Sequence, residues 1–150
     1  MRVVLQRVSE ASVTIDENVK AQIGVGFVVL LGITQEDSVA DIEWLTQKIV
    51  GLRVFGDAQG AMNLSIGDVN GDILVISQFT LHASTKKGNR PSFLAAARPE
   101  QAIPLYELFV STLSRKREKE TYTGTFGADM KVALINDGPV TITIDSLNRE

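Results

Sequence analysis

The chain has 150 residues, 44 % hydrophobic and 22 % charged, with a formal charge of -3 when its single histidine is neutral. A chain of this length buries roughly 68–70 % of its unfolded surface, enough for one core without metals or covalent staples. The absence of cysteine excludes a disulfide framework, a thiolate zinc site and a cysteine nucleophile.

Met1 to Arg7 reads as a strand in its mature form rather than a cleavable signal, and with no cysteine this points to a reducing cytoplasm. Val3, Leu5 and the stem of Arg7 share one face, and Val13 and Ile15 continue a second alternating stretch. Asp16-Glu17-Asn18 is turn material, with Val19 to Ile23 as the returning hairpin strand. Ile23 to Ile33 is the longest apolar stretch, 11 residues with three glycines. A membrane helix needs about 17–25 residues, so Phe27 to Ile33 is a central strand instead.

The first helix is expected from Ser38, which can cap the first turn, with Asp41 at its positive end. Val39, Ile42, Leu45, Ile49 and Leu52 form its buried stripe, and Trp44 packs beside it. Asp57 to Gly60 is a turn, Asn63 to Asn70 a strand end plus loop, and Ile73 to Leu81 a strong strand. The second helix is expected to start between Pro99 and Pro104, with Pro104 in its first turn. Leu105, Leu108, Phe109 and Leu113 form its apolar face. Arg115, Lys116, Arg117 and Lys119 read as helix-end cations on a wet surface. Met130, Val132 and Leu134 alternate, as do Val140, Ile142 and Ile144, around an interruption at Asn136-Asp137-Gly138-Pro139. The expectation is a single α+β domain over residues 1–150, with two main helices and a curved mixed or barrel-like sheet.

Several mechanisms are absent from the chain. It holds no phosphate-binding G-x-x-x-x-G-K-[S/T] loop, no dinucleotide fingerprint and no H-E-x-x-H. A catalytic triad would have to recruit His82, five residues from Ser77, and His82 reads as a polar loop residue after the strand. Asp57, Asp68 and Asp72 all neighbour glycines in turns. From Ile73 to Pro99 there is no acidic residue, while Lys86, Lys87, Arg90 and Arg98 supply +4. By charge alone this is a solvated basic loop.

Two segments stand out. Ser77-Gln78-Phe79-Thr80-Leu81 ends an apolar strand in hydroxyls and an amide, with Gln78 and Thr80 expected on one face. Asn136 to Thr141 places Gly-Pro between two alternating stretches. About 5–6 % of X–Pro bonds are cis in folded proteins, so composition alone does not assign one here.

At these segments, and at Gln6-Arg7-Val8, Ala11-Ser12-Val13, Met62-Asn63-Leu64, Arg90-Pro91-Ser92-Phe93 and Phe126-Gly127-Ala128-Asp129-Met130, the sequence closely resembles D-aminoacyl-tRNA deacylases of the cytosolic bacterial and eukaryotic type. The resemblance spans nearly the whole chain. It implies a homodimer that hydrolyses the ester between a D-amino acid, or glycine, and the 3′ end of tRNA, with no cofactor, metal, membrane or DNA involved. Ser77, Gln78, Phe79, Thr80 and Leu81 would line the pocket. A cis Gly138-Pro139 would enter the neighbouring subunit's pocket, and Arg7 would help hold that loop. Thr80 has two readings, a nucleophile lacking an obvious base or a positioning group, and the second is favoured. Lys86, Lys87 and Arg90 could meet acceptor-stem phosphates; Arg90 has a competing role as a buried ion-pair partner. The alternatives are a binding module without catalysis and a general esterase using Ser77 or Thr80.

Overall fold

The continuous apolar run becomes β3 (Gly26–Gly32), and its alternation feeds two separate cores. In the computed structural model, which describes residues 1–149, Phe27, Val29 and Leu31 enter one cluster, while Val28 and Leu30 enter a second. β1 (Arg2–Ile15) pairs antiparallel with β3, and β6 (Asp72–Ser77) pairs parallel with it. β6 repeats the division, with Ile73 and Val75 in the first cluster and Leu74 and Ile76 in the second. Strands buried on both faces lose the usual apolar–polar alternation, which is why this part of the chain reads as an unbroken apolar run.

β1 turns back into β2 (Asn18–Ile23) through Asp16 and Glu17, whose φ values of 48° and 63° suit the two-residue hairpin turn that follows strand twist. β8 (Lys131–Asp145) pairs antiparallel along β1, so the two alternating stretches near the C-terminus are one strand. The sheet order is β2-β1-β3-β6-β7, with β7 at Tyr122–Thr123 and β8 beside β1. β2 also approaches β6 and β7, so the mixed sheet curls nearly closed around the second cluster. β4 (Arg53–Gly56) and β5 (Met62–Ser65) form a separate ribbon.

The α+β architecture with two main helices matches the expectation, with local corrections. α1 (Val39–Gly51) starts after Ser38, whose amide and hydroxyl both donate to Asp41 Oδ2, at 2.8 and 2.9 Å. Val39 is exposed rather than part of the stripe, because it sits in the first turn before the helix reaches the core. Thr46 is buried instead, its hydroxyl donating to the Ile42 carbonyl at 2.7 Å.

α2 (Pro99–Arg117) begins with Pro99 in its first turn, so Pro104 falls in the second, on an exposed face. The buried face is Ala102, Tyr106, Phe109 and Leu113, a row spaced by three and four residues that takes in Tyr106 and leaves Leu108 partly in water. The basic end of α2 does more than meet solvent. Arg115 and Lys116 pair with Glu43 at 3.2 and 3.0 Å, Arg117 donates to the Gly71 carbonyl at 2.6 Å, and Lys119 pairs with Asp72 at 2.7 Å. These bonds tie α2 to α1 and to the start of β6. Among the described residues, no helix is long and apolar enough to cross a membrane.

Candidate active site

The strand expected to run to Leu81 ends at Ser77. The reason lies in its partner: Ser77 pairs with Leu31, and β3 stops one residue later at Gly32. With the ladder exhausted, Gln78 N donates to the Leu31 carbonyl at 2.7 Å, and Phe79–His82 folds into a 3-10 turn over Gly32. A Cβ on Gly32 would lie 3.0 Å from Gln78 O, Leu81 Cβ and His82 Cδ2, so a side chain there would push the turn outward by a few tenths of an ångström. Gln78 and Thr80 therefore do not share a strand face. Their side chains meet directly, Gln78 Nε2 donating to Thr80 Oγ1 at 2.5 Å. Arg2 Nη1 holds the turn from behind by donating to the Leu81 carbonyl at 2.7 Å.

His82 is not the polar loop residue expected. It is buried under the turn, and its Nε2 has no hydrogen-bond partner among the described residues. Burial pushes its imidazole below the ordinary range, against a backbone interaction with Gly32, and the positive charge of Arg2 pushes the same way as burial.

Above the turn lies a cavity of about 260 Å³. Leu31, Ile33 and Ile76 form its floor, Ser77, Gln78 and Phe79 one rim, and Phe126, Gly127, Ala128, Met130 and Val132 the facing wall. Thr80 and Leu81 continue the turn beyond the lining residues. Ala97 and Ala102 close the helical side. The Phe126 wall is braced by Tyr106, edge-to-face at 5.7 Å between ring centroids, whose buried hydroxyl donates to the Val75 carbonyl at 2.9 Å. Burial raises that phenol to about 12. Among the described residues, no titratable side chain lines the cavity. The amides of Phe79 and Thr80 donate to no acceptor among the described residues, which leaves two main-chain donors beside the rim. Sequence reasoning gave no role to Phe126–Met130, although this stretch was part of the resemblance, and it missed the alanines, whose small side chains carry no pattern of their own.

The Gly138-Pro139 segment is a bulge in β8. Thr141 pairs with Gln6 and Asn136 with Val8, so residues 137–140 stand opposite Arg7 alone. Asn136 spans the bulge, its Oδ1 accepting from Val140 N at 2.9 Å and its Nδ2 donating to Thr141 Oγ1 at 3.1 Å. Arg7 Nε donates to the Asp137 carbonyl at 2.9 Å, and its Nη1 donates to the Val54 carbonyl. Gly138 has φ +134°, a region that essentially only glycine occupies, and a Cβ there would lie 2.8 Å from Arg7 Nη2 and Val140 Cγ2. The Gly138-Pro139 peptide is cis. Both residues are exposed, and neither lines the chain's own cavity.

Lys86, Lys87 and Arg90 lie on an exposed loop closed by paired amide–carbonyl bonds between Ser84 and Ser92, at 2.8 and 2.9 Å. None of the three forms an ion pair among the described residues, so Arg90 is not a buried structural partner.

Fold and site together define a small α+β domain with an apolar cavity of about 260 Å³ beside a turn that carries two free main-chain donors, and with no acid or base among the described residues that line it. The family model described as D-Tyr-tRNA(Tyr) deacylase matches residues 4–145. D-aminoacyl-tRNA deacylases of Bacteroides thetaiotaomicron and Bacteroides fragilis are 61 % and 63 % identical over 150 residues, covering 100 % of both chains in each case. A solved structure described as c-Myc DNA Unwinding Element Binding Protein aligns with TM-score 0.90 at 42 % identity, over 97 % of this chain and 98 % of that one. A probable eukaryotic D-amino acid tRNA deacylase shares the fold, with TM-score 0.82 at 16 % identity over 95 % and 97 %. The chain belongs to the D-aminoacyl-tRNA deacylase family, a family of tRNA-acting hydrolases.

Proposed function

We propose that the protein hydrolyses the ester bond of D-aminoacyl-tRNA, and of tRNA mischarged with glycine, as a cytoplasmic homodimer that needs neither metal nor cofactor. The observation that carries this reading is the separation of two complementary parts. The cavity with its donor rim lies at the end of β6, while the exposed Gly138-Pro139 bulge is clipped by Arg7 elsewhere on the same chain. Across a two-fold axis each bulge would enter the other subunit's cavity, and each subunit would receive the same service in return.

The bulge then acts as a main-chain wall. Chirality exchanges hydrogen and side chain at one carbon, so a wall placed where an L side chain would go rejects every L residue by overlap. D residues direct their side chains outward, and glycine has none to reject. Ser77, Gln78, Phe79, Thr80 and Leu81 form the receiving edge, and the terminal adenosine would lie against the apolar wall.

The chemistry follows from what lines the cavity. With no protein base at hand, the ribose hydroxyl beside the ester activates a water. That water adds to the ester carbon, the Phe79 and Thr80 amides hold the developing oxyanion, and the ester oxygen leaves with a proton as the second ribose hydroxyl. Loss of one such donor can cost about 10²–10³ in rate. Thr80 positions the substrate. Lys86, Lys87 and Arg90 meet tRNA phosphates, giving salt-dependent and largely sequence-independent affinity.

Incubation with D-tyrosyl-, L-tyrosyl- and glycyl-tRNA tests the activity. Release from the D and glycyl forms alone supports it. Retention of all three would favour a binding module, the reading suggested by the DNA-binding description of the 42 % identical structure; loss of all three would favour a general esterase. Mixing two inactive variants, one altered in Ser77–Thr80 and one in the bulge, tests the shared site. Recovery of activity in the heterodimer is the expected result, and its absence would return the bulge to a local role.

A further inference from the structure

Three apolar side chains stand in water on the segment that begins at the cavity rim: Phe79, which lines the cavity, Phe93, which packs on it, and Leu94, the next residue in the chain. Phe79 is 56 % exposed, Phe93 38 % and Leu94 89 %. Phe79 and Phe93 are fixed as a unit, ring centroids 5.1 Å apart and planes at 77°, an edge-to-face contact that orients both rings. Phe93 directly follows Ser92, one end of the pairing that closes the loop, and Lys86, Lys87 and Arg90 all lie within that loop. Aromatic base and cationic tip therefore belong to one short ribbon, with no acidic residue from Ile73 to Pro99 to neutralise it.

We infer that Phe93, with Leu94 and the outer part of Phe79, is a stacking shelf for the unpaired nucleotide that precedes the terminal adenosine of the substrate. The inference rests on the deacylase reading for the identity of the strand, and on the ribbon for its chemistry. Single-stranded nucleic acid is held by cations that follow its phosphates and by aromatic faces on which its bases stack. A duplex uses the first and keeps its bases stacked on one another, so exposed phenylalanines beside unpaired lysines fit an unpaired end. A strand whose last residue occupies the cavity meets the shelf if it leaves past Phe79, the residue shared by the cavity rim and the shelf. A second copy of this chain is the less favourable occupant, because two such ribbons facing each other would oppose cation to cation without an intervening acid.

The test uses the intact protein and two substrates that differ only in the nucleotides upstream of the ester: D-tyrosyl-tRNA and D-tyrosyl-adenosine. Phe93→Ala is expected to lower the ratio of their kcat/KM values roughly 5- to 150-fold, the range of one lost base–aromatic stack. Phe93→Trp is expected to restore the ratio. Leu94→Glu, at a residue too exposed to govern folding, is expected to lower it and to flatten its salt dependence, because the added carboxylate offsets one cation and its repulsion is screened by salt. Binding of a short fluorescent RNA ending in CCA is expected to weaken in Phe93→Ala more than binding of a blunt RNA duplex. If both substrates decline equally in Phe93→Ala, the residue merely braces Phe79 and the shelf is overturned. Dissociation of the wild-type dimer into monomers by Phe93→Ala or Leu94→Glu would overturn it in favour of a second copy. If the wild type releases no D-tyrosine, the deacylase reading fails, and the RNA-binding comparison still decides the shelf.

Discussion

Arg2 and Leu81 are joined by a 2.7 Å bond from guanidinium Nη1 to carbonyl oxygen, while Arg2 Nε and Nη2 hold Asp145 Oδ2 at 3.1 and 2.9 Å. The first and last strands thus meet in one side chain that grips the turn from behind. Arg2→Met is expected to lower kcat by several-fold with a stability loss of only about 1 kcal/mol, since the pair is partly exposed. Arg2→Lys should recover little, because an ammonium cannot reproduce a fork with two separate acceptors. Single-turnover rates beside thermal unfolding separate the two effects. Burial pushes the Asp145 carboxyl up, but the Leu147 amide and Arg2 outweigh it and hold it below the ordinary value. A depressed carboxyl stabilises fully above its unfolded pKa and loses that contribution as pH falls through the lower folded one, so the grip is intact at neutral pH.

Gly138→Ala changes its own chain before it can touch a substrate. The methyl would meet Arg7 Nη2 and Val140 Cγ2 at 2.8 Å, with φ held at +134°. Backbone of this kind costs about 1–3 kcal/mol for residues other than glycine. The expected outcome is a lowered melting temperature together with impaired D-tyrosyl-tRNA hydrolysis and weakened rejection of the L form. Arg7→Ala should weaken rejection similarly while relieving part of the clash in the double variant. Additive effects in that double-variant comparison would disconnect the two residues.

Buried His82 should make stability depend on pH on the acidic side of neutrality. Its folded pKa is depressed, chiefly by burial and then by the charges of Arg2 and the N-terminal ammonium, with Gly32 and Asp37 acting in the opposite direction. Sign follows from proton uptake: the unfolded chain protonates first, near pH 6.5. Stability is therefore full above that value and declines as pH falls toward the folded pKa, by less than about 1.4 kcal/mol per pH unit, the limit for one proton. Denaturant titrations between pH 7 and 5 should show this slope, and His82→Leu should flatten it.

Sequence patterning located the elements whose burial is one-sided or whose ends carry caps: the Ser38–Asp41 start of α1, the Asp16–Glu17 hairpin and the alternating halves of β8. It failed where tertiary contact decides. Nothing local to Ser77–Leu81 says that the strand ends at Ser77, because the cause is the end of its neighbour β3 at Gly32. His82 looked wet for the same reason; only the turn over Gly32 buries it. In α2, Pro104 drew the helix start toward itself, although Pro99 already supplied a first-turn proline. Ser77–Leu81 and Asn136–Thr141 both stand out in the sequence, but only the resemblance links them into one site, and the facing wall from Phe126 to Val132 has no local signature of a pocket.

Thr80 decides between covalent and assisted hydrolysis. Its Oγ1 accepts from Gln78 Nε2 at 2.5 Å, and no carboxylate or imidazole bonds to it among the described residues. An amide N–H can orient a hydroxyl but cannot take its proton, so nothing here activates Thr80 as a nucleophile. Thr80→Ala removes the hydroxyl and keeps the backbone amide that would serve the oxyanion. Activity should therefore fall by about tenfold, an order-of-magnitude loss for one positioning bond, rather than vanish. Thr80→Ser should stay near wild type, and Gln78→Leu should resemble Thr80→Ala, because each breaks the same bond. A substrate ending in 2′-deoxyadenosine should lose far more activity than either variant, since it removes the hydroxyl that the proposed mechanism uses to activate water. Rapid quench and mass spectrometry of wild type supply the opposing outcome: an acyl-threonine intermediate, with full activity on the 2′-deoxy substrate, would make Thr80 the nucleophile after all.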